Sequence, residues 1–192
     1  ILMKVLGIVP EGVQNIQLTQ ELVQEALRYF APFEGDGKQH LNVEVLKKAL
    51  TASDCVATFI FDNIEPQGVE DSTLKLYGLS NRLFKPNQLN LARVFTKLPN
   101  AAWIGDIPMD SDEIDDALMF SAFEYGKEPY APHMVDKFPL YTHRINAVKM
   151  GVRITDQHKV RLGAYLGEGT TLMPGASYVN FNAGTDGAMI EG

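Results

Sequence analysis

Cysteine is nearly absent from this chain. Cys55 is the single one in 192 residues, which excludes a disulfide framework and a cysteine cage around a metal. Lying in the apolar run CVATFIF (55–61), it reads as a buried, inert thiol. Long hydrophobic runs are missing as well. That run falls far short of the roughly 18 residues that cross a bilayer, and no charged, apolar, small-residue series opens the chain. The reading is therefore a cytoplasmic protein without a membrane partner. A basic excess is also lacking: the net charge is −7, which argues against a nucleic-acid partner. The charge is uneven, −9 over residues 1–136 and +2 over 137–192. A small anionic ligand suits the second part better than the first.

What is present is an ordinary soluble composition, 45% hydrophobic and 21% charged, enough for one domain or two small ones. The front of the chain reads as mixed α/β. Strands are expected at 4–9, 55–62 and 101–105, each bounded by Pro, Gly, Asn or Asp. Helices are expected at 20–30 behind Thr19 as N-cap, at 43–51 behind Asn42, at about 88–97, and at 111–122 behind Asp110. Strands alternating with helices predict a layered α/β domain over 1–130. Three of the ten prolines then fall in 124–143, and a connector over 131–150 is expected.

From residue 151 a beat of six begins. Ile154, Val160, Leu166, Leu172, Tyr178, Gly184 and Ile190 stand six apart, and five of these seven are aliphatic. Three places after each come Gln157, Gly163, Gly169, Gly175, Phe181 and Gly187, and one place further mostly small residues. Plain strand alternation fails, because the positions two after the aliphatic row (Asp156, Leu162, Glu168, Pro174, Asn180, Asp186) are mostly polar. A three-sided backbone coil fits: each hexapeptide supplies one flat side and one glycine-assisted corner, and one aliphatic side chain per side fills the narrow axis. Residues 154–171 make one coil, 172–189 a second, and Ile190 opens a third. The beat predicts the first coils of a parallel β-helix over 151–192 but not its hand.

Over about 40 residues the segments GVRI, VRLGAYLGEGTT, VNFNAGT and MIEG, all within 137–192, resemble the tetrahydrodipicolinate N-succinyltransferase family, in particular its branch with a large N-terminal domain. The resemblance implies a left-handed β-helix after the α/β domain, a homotrimer, and active sites between neighbouring barrels. It implies transfer of succinyl from succinyl-CoA, a co-substrate rather than a bound cofactor, to the amino group of ring-opened tetrahydrodipicolinate in diaminopimelate and lysine synthesis. Such acyl transfer needs a deprotonated amine, a polarised thioester carbonyl, and both held together.

The resemblance places the catalytic carboxylate, described as carrying the acyl group as an anhydride or as taking the amine proton, at Glu191. By the six-residue count Glu191 follows the inward Ile190 and points outward. One coil below stands Met173 and then Thr155, neither charged. On its residues alone it reads as a solvated surface glutamate, and only the motif match makes it the catalytic candidate. Asn180 falls on an outward position and is expected to reach a ligand. Asn182 falls on an inward one and is expected to satisfy corner carbonyls. Gly184 interrupts the aliphatic row, as a close ligand approach or an ordinary bulge would. Arg153 and Arg161 suit substrate carboxylates or CoA phosphates, or simply solvent.

His158 is the one histidine in the repeats, and a metal at a subunit boundary would need several. His40, His133 and His143 lie outside them without ligand spacing and are expected to be structural. Some members of the family hold magnesium on the trimer axis between acidic residues. Here His158 stands at the first of those places, and the second region reads MPG (173–175) and is about one residue longer, so no metal is expected. Two coils do not bury a continuous core, since about three repeats are needed, so a longer barrel is expected beyond them. Two rivals stay open: a hexapeptide acyltransferase with a sugar or amino-acid acceptor, and a non-catalytic trimerisation module. A nucleotidyltransferase front is disfavoured, because no glycine-rich basic loop follows the opening strand.

Overall fold

The computed structural model describes residues 2–121, 123 and 132–191, with the backbone alone at Leu2, Lys38 and Gln39. It divides into two compact units, 1–64 and 65–192. This division falls inside the stretch that the sequence suggests as one α/β domain.

The first unit packs α2 (Gln20–Phe30) and α3 (Gly37–Ala49) beside an antiparallel pair, β1 (Val13–Gln17) with β2 (Val56–Ile60). Thr19 caps α2 as expected, its Oγ1 accepting from Leu22 N at 3.3 Å. Val23, Ala26, Phe30, Val43 and Leu46 form its core. Two expectations fail here. Residues 4–9 are not a strand: Leu2–Val5 form a short helix, α1, and Gly7 at φ +66° ends it. Asn42 does not begin a helix, because α3 starts five residues earlier behind Asp36 and Asn42 lies inside it. Cys55 is half-buried at the entry to β2, with its carbonyl accepting from Leu18 N at 2.8 Å.

The second unit opens with a helix that the sequence hides, α4 (Val69–Ser80). Its buried face carries Asp71, Ser72, Lys75, Gly78 and Ser80 beside Leu76 and Leu79, so the apolar residues never reach a helical period. The polar groups are bonded. Asp71 accepts at its two carboxylate oxygens from Gly68 N at 2.8 Å and Gln67 N at 2.9 Å, closing the first turn as an N3 carboxylate does. Lys75 donates to Asn90 O at 3.0 Å. Burial pushes the Lys75 ammonium below its usual range, against the pull of Asp71. The expected helix at 88–97 shortens to α5 (Val94–Lys97), entered from Arg93 in the left-handed region at φ +59°.

A three-stranded antiparallel sheet follows, in the order β4 (Ile107–Met109), β3 (Ala101–Ile104), β5 (Met134–Asp136), with α6 (Ser111–Ser121) beside β3. Asp110 caps α6, accepting from Asp112 N and Glu113 N at 2.9 Å each. Residue 122 of the expected helix lies outside the described residues, as do 124–131 of the proline-rich stretch. The rest of the expected connector is structured. It contains β5 and α7 (Tyr141–Arg144), and Phe138, Leu140, Tyr141 and Ile145 are buried.

From Arg153 the chain coils. β6 (Arg153–Ile154), β8 (Thr171–Leu172) and β10 (Met189–Ile190) pair in parallel, Arg153 with Thr171 with Met189 and Ile154 with Leu172 with Ile190. The 18-residue step is the one that three hexapeptides predict. A second ladder pairs β7 (Tyr165–Leu166) with β9 (Gly184–Thr185), and Val160 bridges to Val179, both at a step of 19. The sheets are small and do not close. The extra residue lies between Leu172 and Val179, and one fewer before Ile190 restores the phase. The buried residue above Val160 is therefore Val179, 8% exposed, and not Tyr178, 45% exposed. Thr185, not Gly184, stands beside Leu166.

Leu162, Ala164, Leu166, Leu172 and Val179 share one core with Leu76, Val94 and Leu98. The end of α4 is bonded into this coil. Ser80 Oγ accepts from Gly163 N at 2.8 Å and donates to Ala164 O at 3.0 Å, while Arg82 donates to Leu166 O and to Met150 O, both at 2.6 Å. Terminal repeats need such a cover for their open backbone groups.

Candidate functional site

β6, β8 and β10 alternate their side chains between core and surface. Leu172 is buried and Ile154 and Ile190 are packed against the core, while Arg153, Thr155, Met189 and Glu191 are exposed. Thr155 N donates to Leu172 O at 3.2 Å and Met173 N to Ile190 O at 3.0 Å, so the register puts Glu191 over Met173 and Thr155. One wall thus carries a cation at its first strand and a carboxylate at its third. Two ladder steps and two residues separate their backbones by about 12 Å, which the two extended side chains can largely bridge.

Neither Arg153 nor Glu191 has a side-chain partner among the described residues. Arg153 lines an open cleft of about 520 Å³ with Gly151, Gly169, Thr170, Thr171 and Thr142. No sequence signal points to Thr142 or Thr171, whose positions follow only from α7 and the ladder register.

The other sequence candidates have internal duties. Arg161 holds Asp136 bidentately, Nε to Oδ2 at 2.7 Å and Nη2 to Oδ1 at 2.9 Å. Its Nη1 donates to Asn180 Oδ1 at 3.3 Å, and its guanidinium lies 4.9 Å from the Phe138 ring and 5.4 Å from that of Tyr178. Burial pushes the Tyr178 phenol up, the Arg161 charge pulls it down and Asp136 pushes it up again. With three donors engaged and two rings stacked on it, Arg161 fastens β5 to the coil. Asn180 Oδ1 also accepts from Phe181 N at 2.9 Å, so it serves this cluster.

Asn182, at φ +56°, does not satisfy corner carbonyls with its side chain. It exchanges two bonds with Asn87, accepting from Asn87 N at 2.7 Å and donating to Asn87 Oδ1 at 3.0 Å. At Gly184 a Cβ would lie 1.8 Å from Tyr165 O, so close strand approach accounts for that glycine.

Among the described residues no three His, Cys, Asp or Glu side chains converge as metal ligands, and no helix is long and apolar enough to cross a membrane. Three histidines nevertheless gather, with ring centroids 6.0 Å apart for His133 and His143 and 5.8 Å for His133 and His158. Sequence spacing could not show this, because the approach to β5, α7 and the first coil each supply one.

Comparison with known proteins bears on this arrangement. The family model described as "Tetrahydrodipicolinate N-succinyltransferase N-terminal" matches residues 10–96. Curated 2,3,4,5-tetrahydropyridine-2,6-dicarboxylate N-succinyltransferases are similar over nearly the whole chain. The protein from Nitratiruptor sp. is 39% identical over 98% of this chain and 49% of its own length, and that from Sulfurovum sp. is 38% identical over 91% and 45%. The Pseudomonas aeruginosa protein is 46% identical over 71% of this chain and 39% of its own. In structure the chain resembles a Campylobacter jejuni protein described as a 2,3,4,5-tetrahydropyridine-2-carboxylate N-succinyltransferase, with a TM-score of 0.86 and 35% identity over 100% of this chain and 52% of that one. The chain spans about half the length of the curated relatives it matches.

Proposed function

Because the chain belongs to the tetrahydrodipicolinate N-succinyltransferase family, we propose that the protein passes succinyl from succinyl-CoA to the amino group of ring-opened tetrahydrodipicolinate. The observation that carries this reading is the wall of β6, β8 and β10, with Arg153 and Glu191 both exposed and unpaired on it. In the proposed site Glu191 takes the proton from the acceptor ammonium. The free amine attacks the thioester carbonyl, a C–N bond forms, the C–S bond breaks, and the second proton lost by the amine nitrogen passes to the departing thiolate, so that CoA leaves as the thiol. Arg153 grips an acceptor carboxylate through charge-assisted bonds. The parallel ladders continue as a left-handed β-helix, and a neighbouring copy in a homotrimer closes the cleft. The protein works in the cytoplasm, with succinyl-CoA as a co-substrate and no tightly held cofactor.

Thiol release by the full-length protein tests this. CoA should appear from succinyl-CoA faster than from acetyl-CoA, and turnover should require the cyclic imine acceptor. One equivalent released without acceptor would indicate the anhydride route through Glu191, and none the direct route. Arg153→Gln should raise the acceptor KM by about 10–100-fold, the loss of one or two charged hydrogen bonds, with little change in the KM for succinyl-CoA. No thiol release under any condition would favour a trimerisation module, and a preference for acetyl-CoA another acyltransferase.

A further inference from the structure

The three gathered histidines lie where separate elements meet. His133 precedes β5, and its N–H donates to Trp103 O of β3 at 3.0 Å. His143 belongs to α7, and its ring lies 5.8 Å from that of Trp103. His158 sits in a 3₁₀ turn of the first coil, Gln157–Lys159. A cleft of about 550 Å³ lies between them, lined also by Gly105, Asp106, Thr142 and Gln157.

A metal does not suit this cleft. Among the described residues no set of three His, Cys, Asp or Glu side chains that could hold an ion forms here, and Nδ1 of His143 is buried without a partner among them. The same orphaned atom makes a second proton on His143 costly, because imidazolium would bury an N–H donor that nothing accepts.

Among the described residues, the charged and titratable groups around the ring come from α7, the β3–β4 turn, the approach to β5 and the coil. On α7 stands Arg144, which donates to Asp106 Oδ2 at 3.4 Å and to Asp106 O at 3.1 Å. The β3–β4 turn offers Asp106, the approach to β5 offers His133, and the coil offers His158, itself 3.3 Å from Asp156 Oδ1. Burial first, then the His133 and Arg144 charges, hold the His143 imidazole below its ordinary 6.5; Asp106 opposes them and His158 adds to them.

We propose that the His133–His143–His158 cluster is a proton-operated latch, which holds the β3–β4–β5 sheet on the first coil at neutral pH and releases it in acid. The sign follows from linkage. Once the latch opens, His143 regains an ordinary affinity for protons, so below about pH 6.5 the open form binds more of them. Opening becomes easier by up to tenfold for each pH unit below that, until the lowered value of the closed form is reached. Above pH 6.5 this group has no effect.

Trp103, the single tryptophan, reports on this directly, being 4% exposed beside His143. In the full-length protein its emission should hold constant from pH 8 to about 6.5, then weaken and shift to the red as pH falls to 5. His143→Gln should keep the pH 8 spectrum down to pH 5, and His40→Gln, in the other unit, should follow the wild type. Identical profiles for wild type and His143→Gln, or no change in wild type down to pH 5, would overturn the latch. If His143→Gln does not fold at pH 8, His133→Gln decides: removing that charge should move the wild-type midpoint to lower pH, and an unmoved midpoint overturns the proposal.

Discussion

Replacing Glu191 by glutamine in the full-length protein is expected to lower the turnover for succinyl transfer by about 10²–10⁴-fold, the range that positioned general bases contribute, with the melting temperature unchanged. Both halves follow from the position of the residue. Glu191 is exposed directly after the third strand of the ladder, and its side chain has no partner among the described residues, so the isosteric amide disturbs no internal bond. It is also the one carboxylate on that wall, with Met173 and Thr155 beneath it. Since an amide cannot take the ammonium proton, the loss should fall on kcat more than on either KM. Stopped-time thiol release at saturating substrates measures this, and circular dichroism melting separates it from misfolding. Undiminished turnover would move the catalytic carboxylate elsewhere.

Arg161→Ala is expected to destabilise the second unit by about 3–5 kcal/mol, the cost of stripping one partner from a largely buried ion pair. The side chains of Arg161 and Asp136 are 21% and 17% exposed, and Asp136 would be left without its bidentate partner. Phe138 and Tyr178 would lose the guanidinium between them, and Asn180 one donor. Arg161→Lys should recover only part, because an ammonium cannot reproduce the fork. Chemical denaturation of the full-length protein gives the value. A loss under about 1 kcal/mol would mean that the cluster does not fasten β5 to the coil, and would return Arg161 to the list of ligand-binding residues.

The coil was legible because a single requirement, one aliphatic side chain per side of a narrow axis, repeats in the sequence. It misled at one place. Nothing in the pattern marks the residue added between Leu172 and Val179, so counting by six selects Tyr178 and Gly184 where the structure packs Val179 and Thr185. Ile190 returns to phase, so the count by six and the structure agree that Glu191 is exposed.

Helix α4 stayed hidden because its buried positions are filled by Asp71, Ser72, Lys75 and Ser80, whose acceptability depends on distant partners such as Asn90 and Gly163. Arg153 and Arg161 read alike as free cations, and only the return of β5 to the coil shows that one of them is already paired. The histidine cluster has no spacing to read, since three separate elements assemble it.

The most direct test is a crystal structure of the full-length protein with CoA and an unreactive analogue of the acceptor. The analogue should lie on the wall of β6, β8 and β10, with a carboxylate bonded to Arg153 and its amine position within hydrogen-bond reach of Glu191. An analogue bound in a different cleft, with this wall bare or buried against a neighbouring copy, would contradict the proposed site.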